Sequence, residues 1–393
     1  MAQIQSRVTQ DVVRVLADLV AIESVNPYFP GGERGESGVA DYVAEYCGDA
    51  GLTVTRQSIL PGRENVLAEL IVPGATQTLL FDCHMDTVSL DQMGEAGLHP
   101  EVRDGLMTGR GSCDDKASLA AMLVAIARLA ERPDGLRCNV LFLGSVDEEY
   151  LMRGAQGFAQ SGRAIAGAIV GEPTNLEIVV AHKGFLRWKL HTEGTAAHSS
   201  VPQFGDNAIY QMATLLVALR PAMESLLAER FHPRVGGATW SVGKISGGSS
   251  VNIVPNRCTV EIDRRLLPGE ASAEALAEID TIVNEIRAKH PELRIEREAP
   301  FGDVSGIDTP EQASVVRAAD LASRQVLGAA PIVGVAYGTN ASKFADVGIP
   351  SIVLGPGDIR QAHTAEEFVE IAQVVSAAKL YEAIARAFGQ GQA

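Results

Sequence analysis

The sequence predicts an α/β protein with a mixed central sheet and a smaller α+β domain inserted into it. Three observations carry this. Short apolar runs alternate with helix-period segments from residue 12 to residue 171, the pattern of strands buried on both faces. Polar and acidic residues gather where those runs end, which is where open α/β sheets place their sites. From about Lys183 the order becomes strand-helix-strand-strand-helix-strand, which suits a ferredoxin-like unit. A chain of 393 residues exceeds one simple core and suits two domains. The expected division is a catalytic domain from residues 1–183 and 297–393, with the insertion at 184–296.

Val12, Val13, Leu16, Leu19, Val20 and Ile22 repeat at helical spacing, and Asn26-Pro27 closes that segment. A second helix is expected over 36–50. Strands follow at 52–58 and 65–72, separated by the turn Pro61-Gly62. Thr78 to Phe81 runs straight into polar Asp82-Cys-His-Met-Asp86. Asp115 to Leu129 reads as a helix. Asn139 to Val146 and Ala168 to Gly171 read as buried strands, ending at Asp147-Glu-Glu149 and Glu172-Pro173. In the insertion, Phe185 to Thr192 alternates as a half-exposed strand. A helix over 207–229, strands at 239–245 and 257–264, and a helix at 272–289 follow. Helix returns over 310–327, and Ile349 to Leu354 is one more buried strand.

The residues are 46% hydrophobic and 21% charged, with a net charge of −16. That balance repels phosphate backbones and anionic membranes, so neither a nucleic-acid nor a membrane partner is expected. No apolar run reaches transmembrane length, and the N-terminal segment lacks a signal-peptide layout. Five cysteines (Cys47, Cys83, Cys113, Cys138, Cys258) are scattered without CxxC spacing, as expected of reduced structural thiols in the cytoplasm.

The chemistry lies at the strand ends. His84 and Asp86 are two residues apart, so strand alternation puts both on one face. Asp86 can then accept the second ring N–H of His84. The glycines of Gly109-Arg-Gly111 allow a sharp turn before Asp114. Asp114 either faces the site or caps the following helix. Glu148, Glu149 and Glu172 end buried strands, where acids are costly unless paired or bound to metal. His363 follows the Gly355-Pro-Gly357 turn. Two imidazoles and three carboxylates form a ligand set for zinc, and one carboxylate beyond a single tetrahedral site implies two ions with a bridging group.

These residues sit in motifs that closely resemble the co-catalytic zinc aminoacylase and carboxypeptidase family, which includes acetylornithine deacetylase, succinyl-diaminopimelate desuccinylase and carboxypeptidases of the G type. The motifs are HMDTV (84–88), GRGSCDDKAS (109–118), DEE (147–149), GEPT (171–174), GTAAHSSVPQFGDNAI (194–209), GGSSVNIVP (247–255), DRRLLPG (263–269) and GPG followed by AHTAEEF (355–368), in order from about Val12 to Ala387. The resemblance implies a zinc-peptidase-type catalytic domain and an inserted lid and dimerisation domain. It implies two Zn2+ ions per chain, with Co2+ or Mn2+ able to replace them. His84 and Glu172 would hold one ion and Glu149 and His363 the other, with Asp114 bridging through a cis peptide to Asp115. It makes Asp86 the orienting carboxylate and Glu148 the general base.

His198, alone in a loop, reads as a surface residue; the resemblance makes it the donor to the oxyanion. Asn252 becomes a further polar contact and Arg265 the group that holds the substrate's carboxylate. Arg264, Lys116 and Arg110 are read as solvated charges without a catalytic role. Asn340 departs from the pattern, since relatives often carry an acid there. The expected activity is hydrolysis of an N-acyl amino acid, as in acetylornithine deacetylase. The alternative is a carboxypeptidase or dipeptidase releasing a C-terminal amino acid. The complete ligand set argues against a non-catalytic binding protein. Dimeric relatives bring the histidine of this loop into the partner's site, so a homodimer through the inserted domain is expected.

Overall fold

The computed structural model describes residues 2–390, with side chains from Gln10 onward. The chain forms two compact units. The first runs to Val180 and includes Thr309–Gly334 and the chain from Thr339; the second is Ala181–Asp308 with Val335–Gly338. The second unit thus begins close to residue 184 but extends past residue 296. It does so because Gly302–Val304 pairs with the strand Gly184–Glu193, as Ile295–Arg297 also does.

The main sheet of the first unit is mixed. Thr53–Leu60 and Arg63–Leu70 form an antiparallel hairpin at one edge, turning at Gly62 with φ of 72°. Next come Asn139–Ser145, Thr78–His84, Gly167–Val170 and Ser351–Val353, these four mutually parallel, and then Ile178–His182. Helices cover both faces. Phe81 packs against Tyr381 of the helix Ile371–Ala387. Its neighbour Asp82, pointing the other way, meets Asn340 at the start of Ala341–Ala345. The helix Lys116–Glu131 is buried almost all round, as its continuous apolar sequence requires.

The N-terminal helix, Ala2–Ala21, buries Val12, Val15, Leu16, Leu19 and Val20. The helices expected at 36–50 and 310–327 are Ser37–Asp49 and Ser314–Leu327, and the last expected strand is Ser351–Val353. The helix Ile371–Ala387 was not anticipated. Its signal was nonetheless in the sequence, since Gln373, Ser376, Lys379, Glu382 and Arg386 recur on one face at helical spacing.

The second unit has a five-stranded sheet ordered Thr239–Gly247, Arg257–Leu266 and Gly184–Glu193, with Ile295–Arg297 and Gly302–Val304 sharing the far side. The helices Ala208–Leu227 and Ser272–Lys289 pack with one face of it around Trp188, Leu190, Val260 and Ile262. Strict alternation along Arg257–Leu266 buries Arg264 completely, where it bonds Glu278 at 2.8 Å. Arg264 is therefore not a solvated residue: its parity puts it on the helix-facing side. Among the described residues no helix is long and apolar enough to cross a membrane.

Candidate active site

The four parallel strands all end at the same edge of the sheet, and each leads directly into a residue of the site. His84 ends Thr78–His84, Asp147-Glu148-Glu149 follows Asn139–Ser145, Glu172 follows Gly167–Val170, and the Gly355-Pro-Gly357 turn follows Ser351–Val353 on the way to His363. Asp114 arrives on the turn before Lys116–Glu131. There Gly109 and Gly111 have φ of 142° and 78°, and a Cβ on Gly109 would lie 2.4 Å from Val20 Cγ1. The Asp114–Asp115 peptide is cis. Asp115, not Asp114, takes the N-cap position, and its side chain makes no capping bond. That leaves Asp114 to the site.

Two clusters of donor atoms form, each within 4.8 Å: His84 with Glu148 and Glu172, and Asp114 with Glu149 and His363. Asp114 stands between them. Its Oδ1 lies 3.1 Å from His84 Nε2 and its Oδ2 lies 3.3 Å from His363 Nε2. His363 Nε2 is also 3.2 Å from Glu149. Burial raises Glu148, Glu149 and Glu172 above the usual carboxylate range, and like-charged neighbours add to it. Hydrogen bonds to Asp114 and Glu149 push His363 up to about 11. For His84, burial opposes the charge, but Asp114 and Asp86 outweigh it and raise the pKa. So dense a set of buried carboxylates and imidazoles fits divalent cations, which neutralise the carboxylates and take the neutral imidazoles as ligands.

Asp86 orients more than an imidazole. His84 Nδ1 lies 2.9 Å from the main-chain carbonyl of Asp86 and 3.6 Å from its carboxylate. The carboxylate instead accepts the backbone N–H of Glu148 and of Glu149, each at 3.1 Å, and Asn26 Nδ2 at 2.7 Å. Of its two oxygens, Oδ1 accepts one of these donors, Glu148 N–H, and is also the oxygen on the ring side. Asn26 also reaches Asp147 at 3.2 Å, and Arg63 bonds Asp147 at 3.0 Å while its other nitrogens grip Glu36. Arg153 holds Asp147 as well. These bonds fix Asp147 at φ of 69°, a left-handed conformation for which Asp is better suited than most residues.

Sequence reasoning missed Asn26, Glu36 and Arg63, because a pair such as Glu36–Arg63 leaves no mark until the hairpin folds beside the second helix. Asp147 and Glu367 lie within the DEE and AHTAEEF motifs, each beside another acid. Arg110 and Lys116 also differ from their expected solvated state. Arg110 is 2% exposed and bonds Glu367 at 2.6 Å; Lys116 is 1% exposed and donates to the Ile22 carbonyl at 2.7 Å. Neither is solvated, since the turn carrying them is packed beneath the site.

The remaining candidates lie in the second unit. His198 is exposed, and its Nδ1 accepts from the backbone N–H of Ser200 at 3.2 Å and lies 2.7 Å from Ser200 Oγ, so the ring proton falls on Nε2. Ser199 N–H donates to the carbonyl of Asn252 at 3.0 Å, joining the two loops. Arg265, opposite in parity to Arg264, is half-buried, with Nε 2.9 Å from Asp263 and its guanidinium 5.7 Å from the Phe185 ring centre.

Fold and site together define a metal-dependent amide hydrolase. Residues 80–387 match Peptidase family M20/M25/M40. The chain is 30% identical over 372 residues to the acetylornithine deacetylase of Myxococcus xanthus, covering 92% of this chain and 93% of that one. It therefore belongs to peptidase family M20/M25/M40. The M20 metallo-carboxypeptidase Sso-CP2 from Sulfolobus solfataricus shares the fold at a TM-score of 0.77 and 20% identity, covering 96% of this chain and 98% of that one. The Bacillus subtilis YXEP protein, described as a dinuclear metal-binding M20 peptidase, does so at 0.72 and 14%, covering 97% and 98%.

Proposed function

We propose that this protein is a cytoplasmic two-zinc deacylase that hydrolyses the amide bond of an N-acyl amino acid, of the kind acetylornithine deacetylases cleave. The observation that carries the two-ion reading is Asp114, with one carboxylate oxygen toward His84 and the other toward His363. The acyl amino acid comes from the near full-length match to the Myxococcus enzyme. His84 and Glu172 would hold one ion and Glu149 and His363 the other, with Asp114 shared between them. Mixed imidazole and carboxylate donors favour zinc, with cobalt or manganese able to replace it.

When bound, such ions polarise the scissile carbonyl and acidify a water near neutral pH. Glu148 would take the proton of the attacking water and return it to the leaving nitrogen. Asp86 supports this by anchoring the N–H groups of both glutamates. His198 donates from Nε2 to the developing oxyanion, Asn252 adds a polar contact, and Arg265 binds the free carboxylate of the substrate.

The inserted domain acts as lid and homodimer interface. Its edge strand Thr239–Gly247 pairs on one side only among the described residues. Ile245 on that strand and Tyr210 and Val217 on Ala208–Leu227 are exposed apolar residues of the same unit. An unpaired edge in a unit that exposes apolar side chains suits a second copy. Five buried thiols without a disulfide suit a reducing compartment.

The test is a hydrolysis screen over N-acetyl, N-succinyl and N-carbamoyl amino acids and dipeptides, before and after chelation. The expected outcome is fastest turnover of N-acetyl amino acids, lost on chelation and restored by zinc. Faster cleavage of dipeptides assigns the chain to the peptidases instead, and activity untouched by chelation removes the metal reading.

A further inference from the structure

Glu367 is buried to 1% exposure and carries no role in the chemistry above. Its Oε1 accepts the backbone N–H groups of Cys113 and Asp114 at 2.9 and 3.0 Å. Its Oε2 accepts Gly111 N–H at 3.1 Å and Arg110 Nη1 at 2.6 Å. Its own carbonyl accepts Gly109 N–H at 3.2 Å. One side chain thus holds three amides of the turn that presents Asp114, one of them Asp114's own. Glu367 lies four positions after His363 in the same segment. The turn bearing one ligand is therefore clamped to the segment bearing another.

A carboxylate is the group this pocket requires. It offers two acceptor oxygens and no donor, and the four partners are all donors. A carboxamide would keep one acceptor and turn an NH2 group against N–H groups.

We propose that Glu367 is the positioning residue for the metal pair, holding Asp114 so that one oxygen serves each ion. This rests on the two-metal reading of the site. Without the clamp, His84 and Glu172 keep only two ligands for one ion and Glu149 and His363 only two for the other. Both ions should then weaken together. Loss of Glu172 or Glu149 should weaken mainly one.

The test uses full-length wild type, Glu367→Gln, Glu367→Asp and Glu172→Ala. Zn2+ stoichiometry and affinity are measured by competition with a chromophoric chelator, and thermal melting is recorded on the metal-free proteins. Glu367→Gln should bind both ions roughly 10–100-fold more weakly, the range for removing a partner that orients metal ligands. Glu367→Asp keeps both oxygens on a shorter arm, so its loss should be smaller. It also serves if the glutamine variant fails to fold. Glu172→Ala should keep one tight ion. Wild-type affinity in Glu367→Gln, with only a lower metal-free melting point, would make the residue structural glue and overturn the proposal. Loss of a single ion in that variant would overturn it too. A wild type that binds fewer than two ions defeats the two-metal reading itself, a result visible before any variant is examined.

Discussion

Glu148 and Glu149 are neighbours in sequence, yet each joins a different donor cluster, Glu148 with His84 and Glu149 with His363. Their peptide N–H groups are held by the two oxygens of one carboxylate, Asp86, so the backbone of both is anchored at one residue. The roles separate by mutation. Glu148→Ala should keep both metals and lower kcat by about 10²-fold or more, as expected when a general base is removed. Glu149→Ala should lose one metal by elemental analysis; equal metal content in the two variants contradicts the assignment. Arg265 makes a different claim. Wild type should prefer a substrate with a free carboxylate over its methyl ester, and Arg265→Ala should lose most of that preference. A wild type indifferent to esterification leaves Arg265 without this role. Both arginines at 264 and 265 were visible in the sequence, and strand parity alone tells which one is buried.

The strands and helices position the site through contacts that alternate across the sheet. On Thr78–His84, Phe81 faces Tyr381 while Asp82 faces Asn340 and Ser145. Burial pushes Asp82 up to about 7, with the hydrogen bonds from Ser145 and Asn340 acting against it. The departure at Asn340 therefore concerns this buried pair, in which its amide donates to Asp82 at 3.0 Å. Asn340→Asp would set two carboxylates together in the core and should cost roughly 3 kcal/mol, the scale of a buried charge left without its partner. Adding Asp82→Asn restores one donor and one acceptor and should recover most of that loss. Thermal melting of the two single variants and the double closes the cycle; additive losses would show that the pair is not coupled. The pair was illegible beforehand because 258 residues separate its members.

At the scale of the whole molecule, the proposed dimer puts His198 of one chain in the site containing Glu148 of the other. Inactive His198→Ala and Glu148→Ala proteins, mixed with subunit exchange, test it. Random pairing makes half the dimers mixed, and each mixed dimer carries one intact site, so about a quarter of wild-type activity should return. No recovery despite verified exchange places His198 in its own chain's site. A monomer by light scattering ends the proposal earlier.

By itself the sequence determined the class of fold and most of its elements, though not the last helix, and it located the acids and histidines that gather at the strand ends. Buried strands with acids and histidines at their ends announce themselves locally, through period and adjacency. Only the tertiary structure decided how those ends converge, with Asp114 between His84 and His363, and which charges are buried supports. Glu36 with Arg63, Glu367 with Arg110, and Asp82 with Asn340 are each joined across long stretches of chain. A charge reads as solvated until folding brings a partner to it. Removal from water and gain of that partner are both properties of the folded chain.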